Sequence, residues 1–390
     1  MGFLSPSSSI CYFQVSGTLD AQKLTKLPSQ LAEEGFRSIE QSADELSTGW
    51  VESSNYDCSD FATPYSCWRE QQLYFTLRQD RRRIPAALLK RQIDIFSEQF
   101  LAEKPTLNFV PKAEKEQIRE RARTQLLAKT LPTPSFYDVT WDTEQQLVRF
   151  CSLGQNAIDS FQGLFHQTFP GLRLQLLHPL SRASQILPEN LRPLLLKADQ
   201  AQTDSILEQI EANRWLGFEF LQWLLYRTLN SDSRYQISTP GPLLEKQPFV
   251  AFLDNRVVLI GGGHEGIQKI IVAGPQDHYL EVKTALKQGK QIEEATVHFH
   301  LNDEDDGWKL TLKGDRFQFG SYRTPMIRPE SDPNDDPQAE LEAAFYTKLA
   351  AIEEGEQIFD SLLRAFLELR LGTQWQKMKE TIQIWVHEPN

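Results

Sequence analysis

The sequence predicts a mixed α+β protein of more than one domain, built from antiparallel hairpins and helices. Three observations point there. The 390 residues exceed the roughly 250 to 300 at which a single core stops growing. Strand-like and helix-like periodicities follow one another along the chain. No phosphate-loop or Rossmann glycine pattern demands a doubly wound parallel sheet. With 40% hydrophobic and 24% charged residues, the composition is that of a globular chain and excludes global disorder. The elements group into an N-terminal α+β region (1–180) with a basic helical segment at 81–130, a middle region (181–280) and a C-terminal α+β region (281–390).

Taken in order, residues 10–15 read as a strand and 21–34 as a helix broken near Pro28. Residues 72–77 make a second strand by their apolar and aromatic content. After Pro85 a long helix covers 86–103, with Leu88, Leu89, Ile93, Phe96 and Phe100 at helical spacing. A further helix begins near Pro111, where proline suits the first turn, and ends before Pro132. Residues 137–141 and 146–151 are β-rich runs separated by Asp142, Thr143 and Glu144, a hairpin that a helix over 156–168 covers. Residues 216–228 read as a buried helix and 249–260 as paired strands ending in Gly261, Gly262 and Gly263. Residues 295–301 and 308–313 alternate apolar and polar around the turn 302–307, a second hairpin. A polar surface loop over 328–338 leads to two C-terminal helices, 340–352 and 356–371.

A net charge of −12 argues against nucleic acid, because a duplex repels an acidic surface. The distribution reverses the argument. Residues 81–130 hold 12 Lys and Arg against 6 Asp and Glu, whereas 330–360 hold 10 acidic residues answered only by Lys348. Such asymmetry directs a polyanion to one surface. The four cysteines, Cys11, Cys58, Cys67 and Cys151, form no CxxC pair and no zinc spacing, so the chain is expected in a reducing cytoplasm without a metal or other cofactor. The start of the chain lacks the pattern of a secretory leader. The most apolar stretch, 215–226, is interrupted by Glu219 and Gln222 and is shorter than the ~20 residues that span a bilayer, so no membrane partner is expected.

The strongest physical signal is the helix after Pro111. At 100° per residue, Lys112, Lys115, Arg119 and Arg123 fall within about 80° of one another and form one basic stripe. The pairs Lys115 with Arg119 and Arg119 with Arg123 are like-charged at i,i+4, an unfavourable arrangement that a polyanion relieves. The competing interpretation is a solvated helix laced by Glu116 to Arg119 and Glu120 to Arg123. Arg81, Arg82, Arg83, Lys90 and Arg91 extend the basic surface, and by themselves fit an exposed loop equally well.

Other constellations carry less chemistry. Asp303, Glu304, Asp305 and Asp306 invite a magnesium or calcium site, but aligning Gly307 with the glycine of a calcium loop puts Lys313 where a bidentate Glu belongs. A solvated turn is expected. His298 and His300 point to one strand face, where imidazoles can bind metal or exchange protons, and a half-exposed strand face is expected there. Gly261 to Gly263 and His264 lack the Lys-Ser/Thr pair of a phosphate loop and read as a tight turn.

The run Arg83, Ile84, Pro85, Ala86, Ala87, Leu88, Leu89, Lys90, then the basic helix, then Leu131, Pro132 and Phe136, then the hairpin through Trp141 and Cys151, resembles the RdgC family of recombination-associated proteins. Gly49, Trp50 and Val51 match another short pattern of that family. The likeness covers 1 to about 180 and the order of elements from about 283 to 372, whereas 180–280 departs most. The resemblance implies a multi-lobed, elongated subunit in a homodimer closed into a ring around duplex DNA. It further implies sequence-independent binding of double-stranded, and also single-stranded, DNA in the nucleoid, and an indirect effect on a RecA-type recombinase. On this basis the basic positions of 81–129 face DNA, and Phe136 lies at a dimer contact. A metal-dependent exonuclease is the runner-up, with no confirming motif.

Overall fold

The computed structural model of the chain describes residues 2–42, 44–203, 205–263, 266–274, 279–301, 307–325 and 337–388. The first half of the chain gives β1 (Ser8–Ser16), α1 (Ala21–Glu33), β2 (Leu46–Glu52), β3 (Trp68–Arg69), β4 (Gln72–Arg81) and α2 (Ala86–Glu103). It continues with α3 (Lys112–Lys129), β5 (Thr133–Asp142), β6 (Leu147–Phe150), α4 (Gln155–Thr168) and β7 (Arg173–Leu176). Next come α5 (Pro179–Ile186), α6 (Arg192–Ala198), α7 (Ile206–Ala212), α8 (Arg214–Asn230), β8 (Arg234–Gln236), β9 (Pro248–Gly263) and β10 (Gly266–Ala273). The chain ends with α9 (Leu280–Lys287), β11 (Gln291–His300), β12 (Trp308–Lys313), β13 (Gln318–Arg323), α10 (Pro337–Leu371) and α11 (Trp375–His387). The fold is therefore mixed α and β with antiparallel sheet pairing, as the periodicities predict.

Two compact units emerge: a smaller one, 15–148 with 155–174, and a larger one, 1–14, 149–154 and 175–390. The chain returns to the larger unit at 175 and stays in it to the end.

In the smaller unit, β4 is central, antiparallel to β2 on one side and to β5 on the other, with β3 also pairing to it. Trp50 is fully buried between Phe75 (5.1 Å) and Phe161 of α4 (6.1 Å), and its indole N–H donates to Thr168 Oγ1 at 2.7 Å. An aromatic ring of that size is tolerated in a core when its polar tip is satisfied. Gly49 beside it is required by close approach: a Cβ there would collide with the Phe36 backbone, which β2 holds through Phe36 N–H to Trp50 O (2.9 Å). The hairpin of β5 and β6 turns where expected, the Asp142 carboxylate accepting from the N–H groups of Glu144 and Gln145.

The larger unit pairs its strands in the order β10, β9, β11, β12, β13, β1, with β8 on β9. One face of this sheet supports α8 and α10, where Phe220 meets Phe317, Phe359 and Phe366 edge-on. Arg149 forms a bidentate pair with Glu356 of α10, and Arg182 pairs with Asp360 while lying over Tyr12, Phe319 and Phe359. Both guanidinium groups are buried with partners, the condition for burying charge.

Several expectations are corrected. Helix α1 runs through Pro28 without breaking, capped by Asp20 on Lys23 N–H and held by buried Leu27 and Leu31. Residues 248–263 form one long strand, flanked by β11 and β10, rather than two paired strands. The Gly261–Gly263 run is the end of β9, paired to 266–268, and His264 lies outside the described residues. The two expected C-terminal helices are one 35-residue helix. Gly355, in the gap between those two expected helices, is the point where Tyr322 Oη and Trp308 approach the helix too closely for a Cβ. The loop 328–338 lies outside the described residues up to 336.

Candidate nucleic-acid interface

Between β4 and β5 the smaller unit inserts a helical hairpin, α2 followed by α3. Its inner seam joins Phe96 and Val110 to Ile118 and Ala122, with Leu89, Ile93, Phe100 and Leu101 packed against them. These apolar positions recur at helical spacing; at 100° per residue the basic positions flank this seam on the solvent side, and Glu116 and Glu120 lie opposite it. Lys112, Lys115, Arg119 and Arg123 are all exposed there. Arg123 is paired with Glu45, whereas Lys112, Lys115 and Arg119 have no ion pair among the described residues. The lacing by Glu116 and Glu120 that the sequence allows is absent from the described ion pairs. Arg121, off the stripe, lies 4.7 Å over the Phe96 ring.

Arg81, Arg83, Lys90 and Arg91 are exposed as well. Arg82 is not, and its place in the binding set is corrected. It is 2% exposed, and all five of its N–H groups donate to backbone carbonyls: Nε to Thr130, Nη1 to Ser42 and Asp44, Nη2 to Ile39 and Glu40. The group ties the neck of the hairpin to the loop before β2 and has no donor left for a phosphate.

Phe136 on β5 is half-buried. Tyr56 stacks on it at 4.3 Å, and the Arg78 guanidinium lies 4.2 Å from the Phe36 ring and 5.6 Å from that of Phe136. Arg78 is fixed by Asp80 and Asp57 at 3.0 and 2.8 Å. Within its own unit Phe136 thus belongs to an aromatic and guanidinium stack.

For a metal, the closest grouping among the described residues is Glu52, Cys58 and Asp60, whose ligand atoms lie within 4.8 Å of one another. The Cys58 thiol donates to Asp60 Oδ1 at 2.9 Å, and that bond to a carboxylate pushes the thiol up to about 11. The thiol so held is a proton donor to Asp60. The run 303–306 lies outside the described residues. His298 and His300 do share a strand face, their rings parallel within 5° and 6.4 Å apart. Burial, followed by the neighbouring Lys309, pushes His298 down to about 4. No helix among the described residues is long and apolar enough to cross a membrane.

The geometry defines an α+β protein whose smaller unit carries an exposed basic helical hairpin clamped at its neck. The family model described as "Putative exonuclease, RdgC" matches residues 8–202, half of the chain, and the protein belongs to the RdgC family of recombination-associated proteins. The match spans the whole smaller unit, hairpin included. No match was found among curated proteins.

Proposed function

We propose that the protein binds duplex DNA without sequence preference through the outer face of the α2–α3 hairpin, and thereby limits access of a RecA-type recombinase. The observation that carries this reading is the trio Lys112, Lys115 and Arg119, exposed on one face of a packed hairpin and without ion partners among the described residues. Phosphates accept from such groups without regard to base identity. In this reading the chain acts in the nucleoid as a homodimeric ring with Phe136 at a contact, and it is a binding protein rather than an enzyme. Replacing Lys115, Arg119 and Arg123 with Ala weakens binding equally on unrelated duplexes and flattens its salt dependence by about 0.9 in slope for each phosphate no longer neutralised. A folded triple variant with unchanged affinity and slope on several duplexes would sink the proposal.

The family description names an exonuclease, which makes cleavage the second reading. On the binding reading, DNA survives incubation with magnesium or manganese. Degradation that disappears on replacing Asp305, Asp306 or His300 would promote the enzyme instead.

A further inference from the structure

The face of the larger unit's sheet turned away from α8 carries a row of side chains that the hairpin does not involve. In register across four strands stand Phe252 on β9, His298 on β11, Lys309 on β12 and Arg323 on β13. At about 4.8 Å per strand the row spans roughly 14 Å. Phe252 lies 5.1 Å from His298 and 5.5 Å from His300, the planes within 16° of parallel. All three rings are half-buried rather than buried, so the step they form is still open to solvent.

The other end of the row is cationic. Lys309 stands opposite Arg323, with Lys313 two turns of the pleat along β12, and none of the three has an ion pair among the described residues. Like charges directly opposite on a sheet are unfavourable, so this arrangement invites an anion. Among the described residues the carboxylates nearby are Glu294, which stands opposite Lys313 and is paired with Arg256, and Asp254. Parallel rings beside cations that lack an ion pair among the described residues match a flat base with its phosphate, whereas an apolar protein segment leaves such cations unanswered and a duplex keeps its bases stacked away from the rings.

We propose that this sheet face binds single-stranded DNA, with bases extending the stack of Phe252, His298 and His300 and phosphates meeting Lys309, Lys313 and Arg323. Only the choice of DNA over RNA rests on the function proposed above; the surface lies in the other unit and uses other residues.

The test is a short single strand carrying a fluorescent purine analogue whose emission falls on stacking. The wild-type protein quenches it. Phe252→Leu weakens binding about 5- to 150-fold, the range of one base stacked on an aromatic ring, and removes the quench, while Phe252→Tyr keeps both. Should Phe252→Leu fail to fold, Lys309→Gln with Arg323→Gln decides: the salt slope falls by about 1.4, at 0.7 per single-strand phosphate. The Lys115, Arg119 and Arg123 triple variant keeps the quench, so failure of the duplex reading and failure of this one are separable. Unchanged affinity and quench in folded Phe252→Leu, an unchanged slope in the double variant, a quench abolished only in the triple variant, or tighter binding of RNA of the same sequence would each overturn the proposal.

Discussion

Arg82 and Arg119 belong to the same basic segment and meet opposite fates. At the neck of the hairpin, the end of β4 places Arg81 and Arg83 outward and Arg82 inward, where five carbonyls close around its guanidinium. On α3, thirty-seven residues later in the sequence, the arginine is exposed beside a seam to which the helix commits its apolar residues. The difference teaches that clustered positive charge in a sequence mixes two jobs. One cation organises backbone that has no other partner, and the other stays available because its helix has already buried what it needs to bury. The divide between neck and stripe gives two predictions, and a third serves as their control.

The largest effect is expected at the neck. Arg82→Met removes every donor from five carbonyls, and buried acceptors left unpaired cost about 1–3 kcal/mol each before water or relaxation compensates, so a net loss on the order of 3 kcal/mol or more is expected in urea unfolding. DNA affinity per folded molecule stays unchanged. A variant with wild-type stability would put Arg82 back among the surface cations.

At the stripe the signs are exchanged. Arg119→Ala changes stability by less than about 0.5 kcal/mol and lowers the salt slope of duplex binding by about 0.9. Arg123→Ala lowers it by less, because DNA has to displace Glu45 from Arg123 first. Equal slopes for the two single variants would show that the Glu45 pair does not compete.

The third lies outside both regions and serves as a control on them. His298 is held near 4 against its ordinary 6.5 by burial and by Lys309, with His300 adding to the depression and Asp254 opposing it. The unfolded chain therefore binds the extra proton first, so the neutral ring's contribution is present above about 6.5 and is lost as pH falls toward 4. His298→Thr flattens that part of the stability profile. The same slope in the variant would assign the acid sensitivity to another group.

The stripe was legible in the sequence because helical periodicity is local: Lys112 to Arg123 lie within one element, and Pro111 marks where it starts. Arg82 was not, since three consecutive arginines look like a loop until the period of two from β4 is carried through them. The gap left around Gly355 and the break expected at Pro28 give way for a related reason. Each residue breaks helices by intrinsic preference, yet tertiary contact overrides it, Tyr322 and Trp308 at one and buried Leu27 and Leu31 at the other. The pair His298 and His300 was legible, but Phe252, which completes the ring step, is 46 positions away and becomes a neighbour only through the pairing of β9 with β11. Asp303 to Asp306 lie outside the described residues, and their turn stays an expectation.

The insertion point of the hairpin has a consequence for how this chain can change. Strands β4 and β5 are paired to their ends, Arg81 opposite Thr133, so the two helices leave and re-enter the sheet at adjacent positions. A tight turn would join those ends equally well. The sheet register is thus indifferent to how long the excursion is, and the 18 residues of each helix set a reach of about 27 Å. Adding or deleting one turn in both helices alters that reach by about 5.4 Å while the carbonyl cage around Arg82 stays as it is. Mutation and selection can therefore fit the arm to ligands of different girth without renegotiating the core that carries it.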